Sequence, residues 1–301
     1  MAEGNPYSFL HISRSEIDLP DQEDPHTMPV YEKAKENLAD FVEKGILVRE
    51  EVPAFYIYRQ IMDGRAQTGI VGCAAIDEYA DGTIKKHEFT REEKELDRIN
   101  HFDVCNADTE PVFFTYRNSE GIDRAVARFT EENQPVYNIV TKDGITHILW
   151  VVDDAAICSE IEKYFGEIDY MYIADGHHRS ASAAKVGLRR REEHPDFDGT
   201  EEFNFFMAVV FPQDDLKIFD YNRVVKDLNG YTSEEFIAEI SRKFDVSEAE
   251  GTEPYRPEAS HMFGMYLDGK WYKLRAKAEI IIEDDPVLSL ASLSTALILL
   301  S

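Results

Sequence analysis

Tyr172-Ile173-Ala174-Asp175-Gly176-His177-His178-Arg179-Ser180-Ala181-Ser182-Ala183-Ala184-Lys185-Val186 is the stretch from which this 301-residue chain is read most readily. An apolar run meets a glycine, three donor side chains follow, and small residues continue at helical length. The pattern predicts a strand over 169–174, a loop at Gly176 and a helix from about Arg179 to Glu193. His194-Pro195 ends that helix, because proline drives the residue before it out of the helical region. Gly176 lacks a Cβ, so backbone there can approach a ligand closely. The helix start presents unpaired N–H groups and a partial positive charge. His177, His178 and Arg179 add donors at the same end. Three potential cations oppose the helix dipole, and a bound anion would offset that repulsion. Nucleotide phosphate is the anion this loop suits best. Gly176, His177, Arg179 and Ser180 are its candidate contacts.

Two other readings of the loop stay open. The histidines can satisfy buried backbone carbonyls while Arg179 pairs with a surface acid. Asp175, His177 and His178 can also ligate a metal. Successive histidines point in different directions, however, which weighs against a dedicated zinc site. Magnesium held mainly by a nucleotide needs only a carboxylate or two, here Asp175. The sequence lacks Gly-x-x-x-x-Gly-Lys-Ser/Thr, Gly-x-Gly-x-x-Gly, His-Glu-x-x-His and Gly-x-Ser-x-Gly. It therefore disfavours P-loop, Rossmann, zincin and α/β-hydrolase chemistry.

Upstream, Tyr31, Ala34, Leu38, Phe41 and Val42 recur at helical spacing, with Gly45 as a stop. Residues 54–62 and 65–76 predict a hairpin turning at Asp63-Gly64, and Asp81-Gly82 marks another turn. Thr90 with Glu93 reads as a capping box for a helix from Arg91. A strand over 111–117, a helix over 121–132 and a strand over 147–152 follow. The next helix carries Ile157, Ile161 and Phe165 on one face, with Asp153 or Asp154 as its cap. Downstream, 203–211 is a nearly continuous apolar strand, and 216–225 reads as a further strand. Thr232 and Glu235 form a second capping box, with Phe236, Ile240 and Phe244 facing inward. Segments 261–267 and 270–276 pair around Asp268-Gly269. Strands and helices mix without a regular βαβ beat, so the expected class is α+β. The expected division is a nucleotide-binding region over 1–212, an accessory α+β region over 213–286 and a divergent apolar tail over 287–301.

Composition bounds the partners. Net charge is −27, with 59 acidic against 32 basic residues. Nucleic-acid binding needs a basic patch, and Arg189-Arg190-Arg191 is followed at once by Glu192 and Glu193, as on a solvated helix face. No nucleic-acid partner is expected. Cys73, Cys105 and Cys158 are the three cysteines, an odd number without a Cys-x-x-Cys pair, as for free thiols in a reducing compartment. Met1 to Pro6 does not read as a secretory signal. The apolar Val287–Ser301 stretch is shorter than the roughly 20 residues a spanning helix needs. A cytoplasmic protein without a membrane partner is expected, its oligomeric state unspecified.

Asp175-Gly176-His177-His178-Arg179 behind an apolar strand resembles the signature of the domain-of-unknown-function 1015 family. So do Asn5-Pro-Tyr-Ser-Phe-Leu-His11, Tyr56-Ile-Tyr-Arg-Gln60, Lys86-His87-Glu88 with Thr90, Lys94 and Asp97-Arg98, and Tyr221-Asn222-Arg223-Val224-Val225. Gly176, Arg179, Ser182 and Ala183 are also similar, more remotely, to the Gly-x-x-Arg pattern of the ParB/sulfiredoxin-like fold. One branch of that fold phosphorylates free serine, using a comparable loop and a separate glutamate. The resemblance implies a mixed sheet with helices plus an accessory β-rich region. It also implies phosphotransfer from ATP or ADP, with Mg²⁺, to a small hydroxyl compound, free serine among the candidates. Glu88, Asp175 and His178 are then the candidate catalytic groups, Glu88 as the base and Asp175 holding metal or orienting the acceptor. Metal-dependent phosphohydrolysis and a non-catalytic nucleotide sensor are the alternatives. The likeness departs from the family at both ends: the chain begins after an Ala-Pro-Pro-Tyr-Asp-like segment and changes character at Leu288. A chain marginal or inactive alone is the corresponding expectation.

Overall fold

The computed structural model describes residues 2–20, 24–217, 219, 222–281 and the backbone of 295–299. The chain forms two compact units, Met1–Leu216 and Lys217–Ser301.

The first unit opens with α1 (Leu10–Ser13) and α2 (Met28–Glu43), then a hairpin of β1 (Phe55–Met62) and β2 (Arg65–Ala75). Asp63 and Gly64 both take positive φ, 53° and 77°, as a two-residue turn between twisted strands requires. The turn sets the register, pairing Met62 with Arg65 and, at the far end, Tyr56 with Val71. There follow α3 (Ile76–Asp81), the two-residue β3 (Ile84–Lys85), α4 (Glu92–Cys105), β4 (Val112–Tyr116), α5 (Glu120–Glu132) and β5 (Tyr137–Val140). The unit is completed by β6 (Thr146–Val152), α6 (Ala155–Phe165), β7 (Met171–Asp175), α7 (His177–Glu193) and β8 (Phe205–Pro212). Its eight strands form one sheet in the order β3-β7-β4-β8-β2-β1-β6-β5. The sheet is mixed: β4 runs parallel to β8, and β8 antiparallel to β2. The class is therefore α+β.

Ile57, Phe114, Val152, Ile173, Phe206 and Ala208 are buried in the core of this sheet. Burying a large aliphatic or aromatic side chain contributes about 1.5–3 kcal/mol. Helix α7 lies close to α4 because its inward residues are small. Ser180, Ala181, Ser182, Ala183 and Ala184 are all buried. The Ser182 hydroxyl donates to the Glu95 carbonyl at 3.0 Å, and Lys185 pairs with the buried Glu95 carboxylate. At Gly187 a Cβ would come within 2.3 Å of the Phe203 carbonyl.

The second unit contains β9 (Arg223–Val225), α8 (Ser233–Ile240), β10 (Phe244–Glu248), β11 (Met262–Leu267), β12 (Lys270–Ala276) and β13 (Thr295–Leu299), in the sheet order β10-β12-β11-β13-β9. The Thr232 hydroxyl accepts from the Glu235 N–H while the Glu235 carboxylate accepts from the Thr232 N–H, a complete capping box. Met265, Leu267 and Leu274 form its core.

Several elements differ from their sequence expectation. Thr90 does not cap α4; Arg91 occupies that position without a side-chain cap, and Thr90 bonds to the Glu95 side chain instead. Helix α7 begins two residues before Arg179, since Gly176 itself makes the turn from strand to helix. Residue 76, read as strand, opens α3. The edge strand β5 pairs with β6 but is exposed along its whole length, so its alternation carries no burial signal. Phe244 lies in β10 and not on the helix face before it. The strand expected over 216–225 is described as β9 alone; residues 218, 220 and 221 lie outside the described residues, so Tyr221 of the Tyr-Asn-Arg-Val-Val motif does too. Of the expected apolar tail, 287–294 and 300–301 lie outside the described residues, while the backbone of β13 runs parallel to β11 and β9. Among the described residues no helix is long and apolar enough to cross a membrane.

Candidate functional site

Gly176 leaves β7 with φ 95° and ψ 27° and becomes the N-cap of α7. That left-handed conformation is what a non-glycine residue resists. A Cβ there would also lie 3.2–3.4 Å from Val112 on β4. Gly176 thus answers to backbone geometry and to packing on Val112, a different reason from the close ligand approach expected of it. Having no side chain, it leaves α7 uncapped, and the first turn carries no acid. Among the described residues, none accepts a hydrogen bond from the N–H groups of His177, His178 or Arg179. Three N–H groups therefore converge at the positive end of a 17-residue helix, the arrangement that receives anions.

The side chains behave differently from a cluster of three cations. His177 is 4% exposed. Its Nε2 accepts from the His87 N–H at 3.4 Å, and its Nδ1 lies 3.6 Å from Glu88 Oε2. Its ring meets the His87 ring edge to face at 4.3 Å. Burial, with His87 beside it, pushes its pKa down to about 4, so it is neutral near pH 7. His178 Nε2 accepts from the Arg91 N–H at 3.1 Å. An acceptor Nε2 places the proton of a neutral ring on Nδ1. Both histidines thus accept from backbone N–H groups, where the sequence reading cast them as donors or as partners of carbonyls. They tie the 86–91 segment to the start of α7.

Arg179 is held on three sides. It donates to the Pro111 carbonyl at 2.7 Å and to Asp175 at 3.0 Å, and lies 3.7 Å from Glu110. The surface pairing considered for Arg179 is present, with Glu110 as an additional acid. The Ser180 hydroxyl and N–H both donate to the Gly176 carbonyl, and Ser180 has no exposure. Its side chain braces the turn and does not face solvent, in contrast to the ligand contact expected of it. Asp175 and Glu88 are open, at 73% and 59% side-chain exposure. The fold therefore brings Glu88 against His177 across 89 positions of sequence, and both Glu88 and Asp175 act on the charge of His177.

Glu110, Pro111, Arg91 and Glu95 were missed by the sequence reading. Their roles depend on approaches between segments distant in the chain, for which the sequence carries no local signal. Glu95 anchors this neighbourhood. Burial opposes its charge, but hydrogen bonds from Lys185 and Thr90 hold its carboxyl below the usual range. The Arg179 guanidinium thus faces two carboxylates, Asp175 and Glu110, while Glu88 lies against His177. The site sets N–H donors beside exposed carboxylates, and an anion bound there would need a cation to offset their charge. The exposed carboxylate oxygens suit a hard ion such as Mg²⁺. Among the described residues no group of three or more His, Cys, Asp and Glu side chains could hold a metal ion. The Asp175, His177 and His178 zinc alternative therefore does not fit, whereas a Mg²⁺ shared with phosphate oxygens needs fewer protein ligands.

A family model described as a protein of unknown function (DUF1015) matches residues 1–295. No curated protein and no solved structure matches the chain.

Proposed function

We propose that this chain, which belongs to the DUF1015 family, binds a nucleotide at the start of α7 and transfers a phosphoryl group to a small hydroxyl compound. The observation that carries this reading is the trio of acceptor-free N–H groups at His177, His178 and Arg179, presented by an uncapped helix. The remote similarity of Gly176, Arg179, Ser182 and Ala183 to ParB/sulfiredoxin-like serine kinases supports the same reading and makes free serine the first acceptor to test.

Each residue then has a chemical task. The N–H groups of residues 177–179 and the Arg179 guanidinium hold phosphate oxygens, with charge-assisted bonds among the stronger hydrogen bonds. His178, its Nε2 occupied by Arg91, offers Nδ1–H to the same oxygens. Asp175 would hold Mg²⁺, which would supply charge neutralisation for phosphoryl transfer from ATP or ADP. Glu88 takes the proton of the acceptor hydroxyl as the new O–P bond forms and the O–P bond to the departing nucleotide breaks. His177 holds Glu88 and the 86–91 backbone in place. Because His177 is neutral, it does not compete with Glu88 for the role of charged partner.

The test is incubation of the full chain with Mg²⁺ and terminally labelled ATP or ADP, alongside a pool of small alcohols that includes serine. Label recovered in a small organic molecule supports the reading. Label released only as inorganic phosphate favours the phosphohydrolase, with a metal-bound water as nucleophile. Nucleotide that binds and returns unchanged favours a sensing module.

A further inference from the structure

Helix α7 has a second face, away from its N-terminus. Ala183, Val186, Gly187 and Arg190 recur at helical spacing along it and line a cavity of about 620 Å³. Arg190 lies 14 positions beyond Gly176, roughly 20 Å along the axis. The remaining wall comes from Cys73 on β2, from Phe102, Asn106 and Asp108 at the end of α4, and from Phe203, Phe205 and Phe206 at the entry to β8. The volume falls in the range of small-molecule sites, and the lining mixes phenylalanine rings with polar and charged groups.

The polar groups are not equally available. Arg190 donates to Asn106 Oδ1 at 2.5 Å and to Asp103 at 3.2 Å. Glu202 is paired with Arg49. The Thr200 hydroxyl donates to Asp198 at 2.6 Å. Asp108 differs: among the described residues its carboxylate has no hydrogen bond or ion pair. Burial pushes its pKa up to about 6 despite the nearby Arg190. Cys73 is exposed as a residue, but partial burial of its thiol, with Asp108 and Glu202 nearby, pushes its pKa up. The open valence of this cavity is thus a negatively charged acceptor among aromatic rings. An anionic ligand would be repelled, and a neutral donor would meet it without offsetting its charge. A cation with its own N–H donors meets it, and aromatic faces attract the same charge.

We propose that this cavity is a binding site for a small primary amine with an apolar body, its ammonium donating to Asp108 and its body packed among Phe102, Phe203 and Phe206. This site stands apart from the proposed nucleotide site and does not depend on it. The groups that set its charge are Asp108 after α4, Arg190 on α7 with Asp103 on α4, Cys73 on β2 and Glu202 before β8.

Cys73 supplies a readout that needs no substitution. The full chain is alkylated with iodoacetamide in the presence of 2-phenylethylamine or of its neutral counterpart 2-phenylethanol, and the modification of each cysteine is followed by mass spectrometry. The amine is expected to slow alkylation of Cys73 but not of Cys105, and the alcohol to do so at least ten-fold less effectively. Asp108→Asn is expected to raise the amine concentration needed by ten-fold or more. In the unsubstituted chain, amine affinity measured by calorimetric titration should fall about ten-fold between pH 7.5 and pH 5 as Asp108 takes a proton, which keeps the test valid if the variant fails to fold. No protection by millimolar amine overturns the proposal, as does equal protection by amine and alcohol.

Discussion

Replacing Arg179 by alanine separates the part this residue plays in the fold from the part it plays in binding. Its bond to the Pro111 carbonyl is worth about 1 kcal/mol, since the proline is exposed and water can replace the donor. The pair with the open Asp175 adds about 0.3–0.5 kcal/mol, and Glu110 at 3.7 Å about as much again. Loss of all three should destabilise the first unit by about 1.5–2 kcal/mol. Part of that is recovered, because an unpaired Asp175 interacts favourably with the start of α7. For a unit of this size the melting temperature should fall by roughly 3–8 °C. Nucleotide affinity should fall further, by about 1.5–3 kcal/mol, or roughly 10- to 150-fold, as for hydrogen bonds to charged groups. Calorimetric titration with Mg²⁺ and ADP, at a temperature where melting curves show the variant folded, measures the second quantity free of the first. Arg179→Lys keeps the charge but not the fork, and should recover only part of the affinity. A folded Arg179→Ala chain that binds ADP as tightly as the parent would refute the assignment and leave Arg179 a purely structural clamp.

Other consequences are equally open to measurement. Glu88→Gln keeps the size of the side chain and removes the base, so turnover should drop roughly 100-fold or more with nucleotide affinity nearly unchanged; a comparable loss of affinity would point to a metal or substrate contact instead. His177 titrates near 4 when folded and near 6.5 otherwise, so the unfolded chain binds the proton more tightly and stability is lost as pH falls through that window. Between pH 7 and pH 5 the parent should lose about 1–2 kcal/mol more than His177→Gln in urea unfolding, the full shift being discounted for nearby solvent; parallel curves would remove this origin of acid sensitivity. Glu95→Gln weakens the α4–α7 anchor and should cost about 1.5–3 kcal/mol, below the range for a wholly buried pair because Lys185 is half exposed; an unchanged urea midpoint would show that the helices are held without it.

What could be read from the sequence was what chemistry dictates locally. Asp63-Gly64 and Asp268-Gly269 announce their hairpins because few other residue pairs accept two consecutive positive φ values. Thr232 with Glu235 marks a helix start correctly. Thr90 with Glu93 has the same pattern and does not, because Glu95, buried against Lys185, claims the Thr90 side chain. The loop at Gly176 was legible as a strand-to-helix turn, and the small residues after it as a close-packed face. The electrostatics were not. Three adjacent basic residues suggest a strongly positive loop, yet two are imidazoles that accept from backbone N–H groups and the third is paired with the distant Glu110 and with Asp175 in the preceding turn. Glu110 and Glu88 reach the site only through the order of β3, β7 and β4 in the sheet, which no local pattern specifies.

The central claim, that the start of α7 holds nucleotide phosphate, is tested most directly by following the backbone amide resonances of the full chain by NMR during titration with Mg²⁺ and ADP, with adenosine as the control. The claim predicts saturable shifts centred on His177, His178 and Arg179 with ADP, and no comparable shifts there with adenosine. Binding that leaves these three amides unmoved, or moves them equally with adenosine, would contradict it.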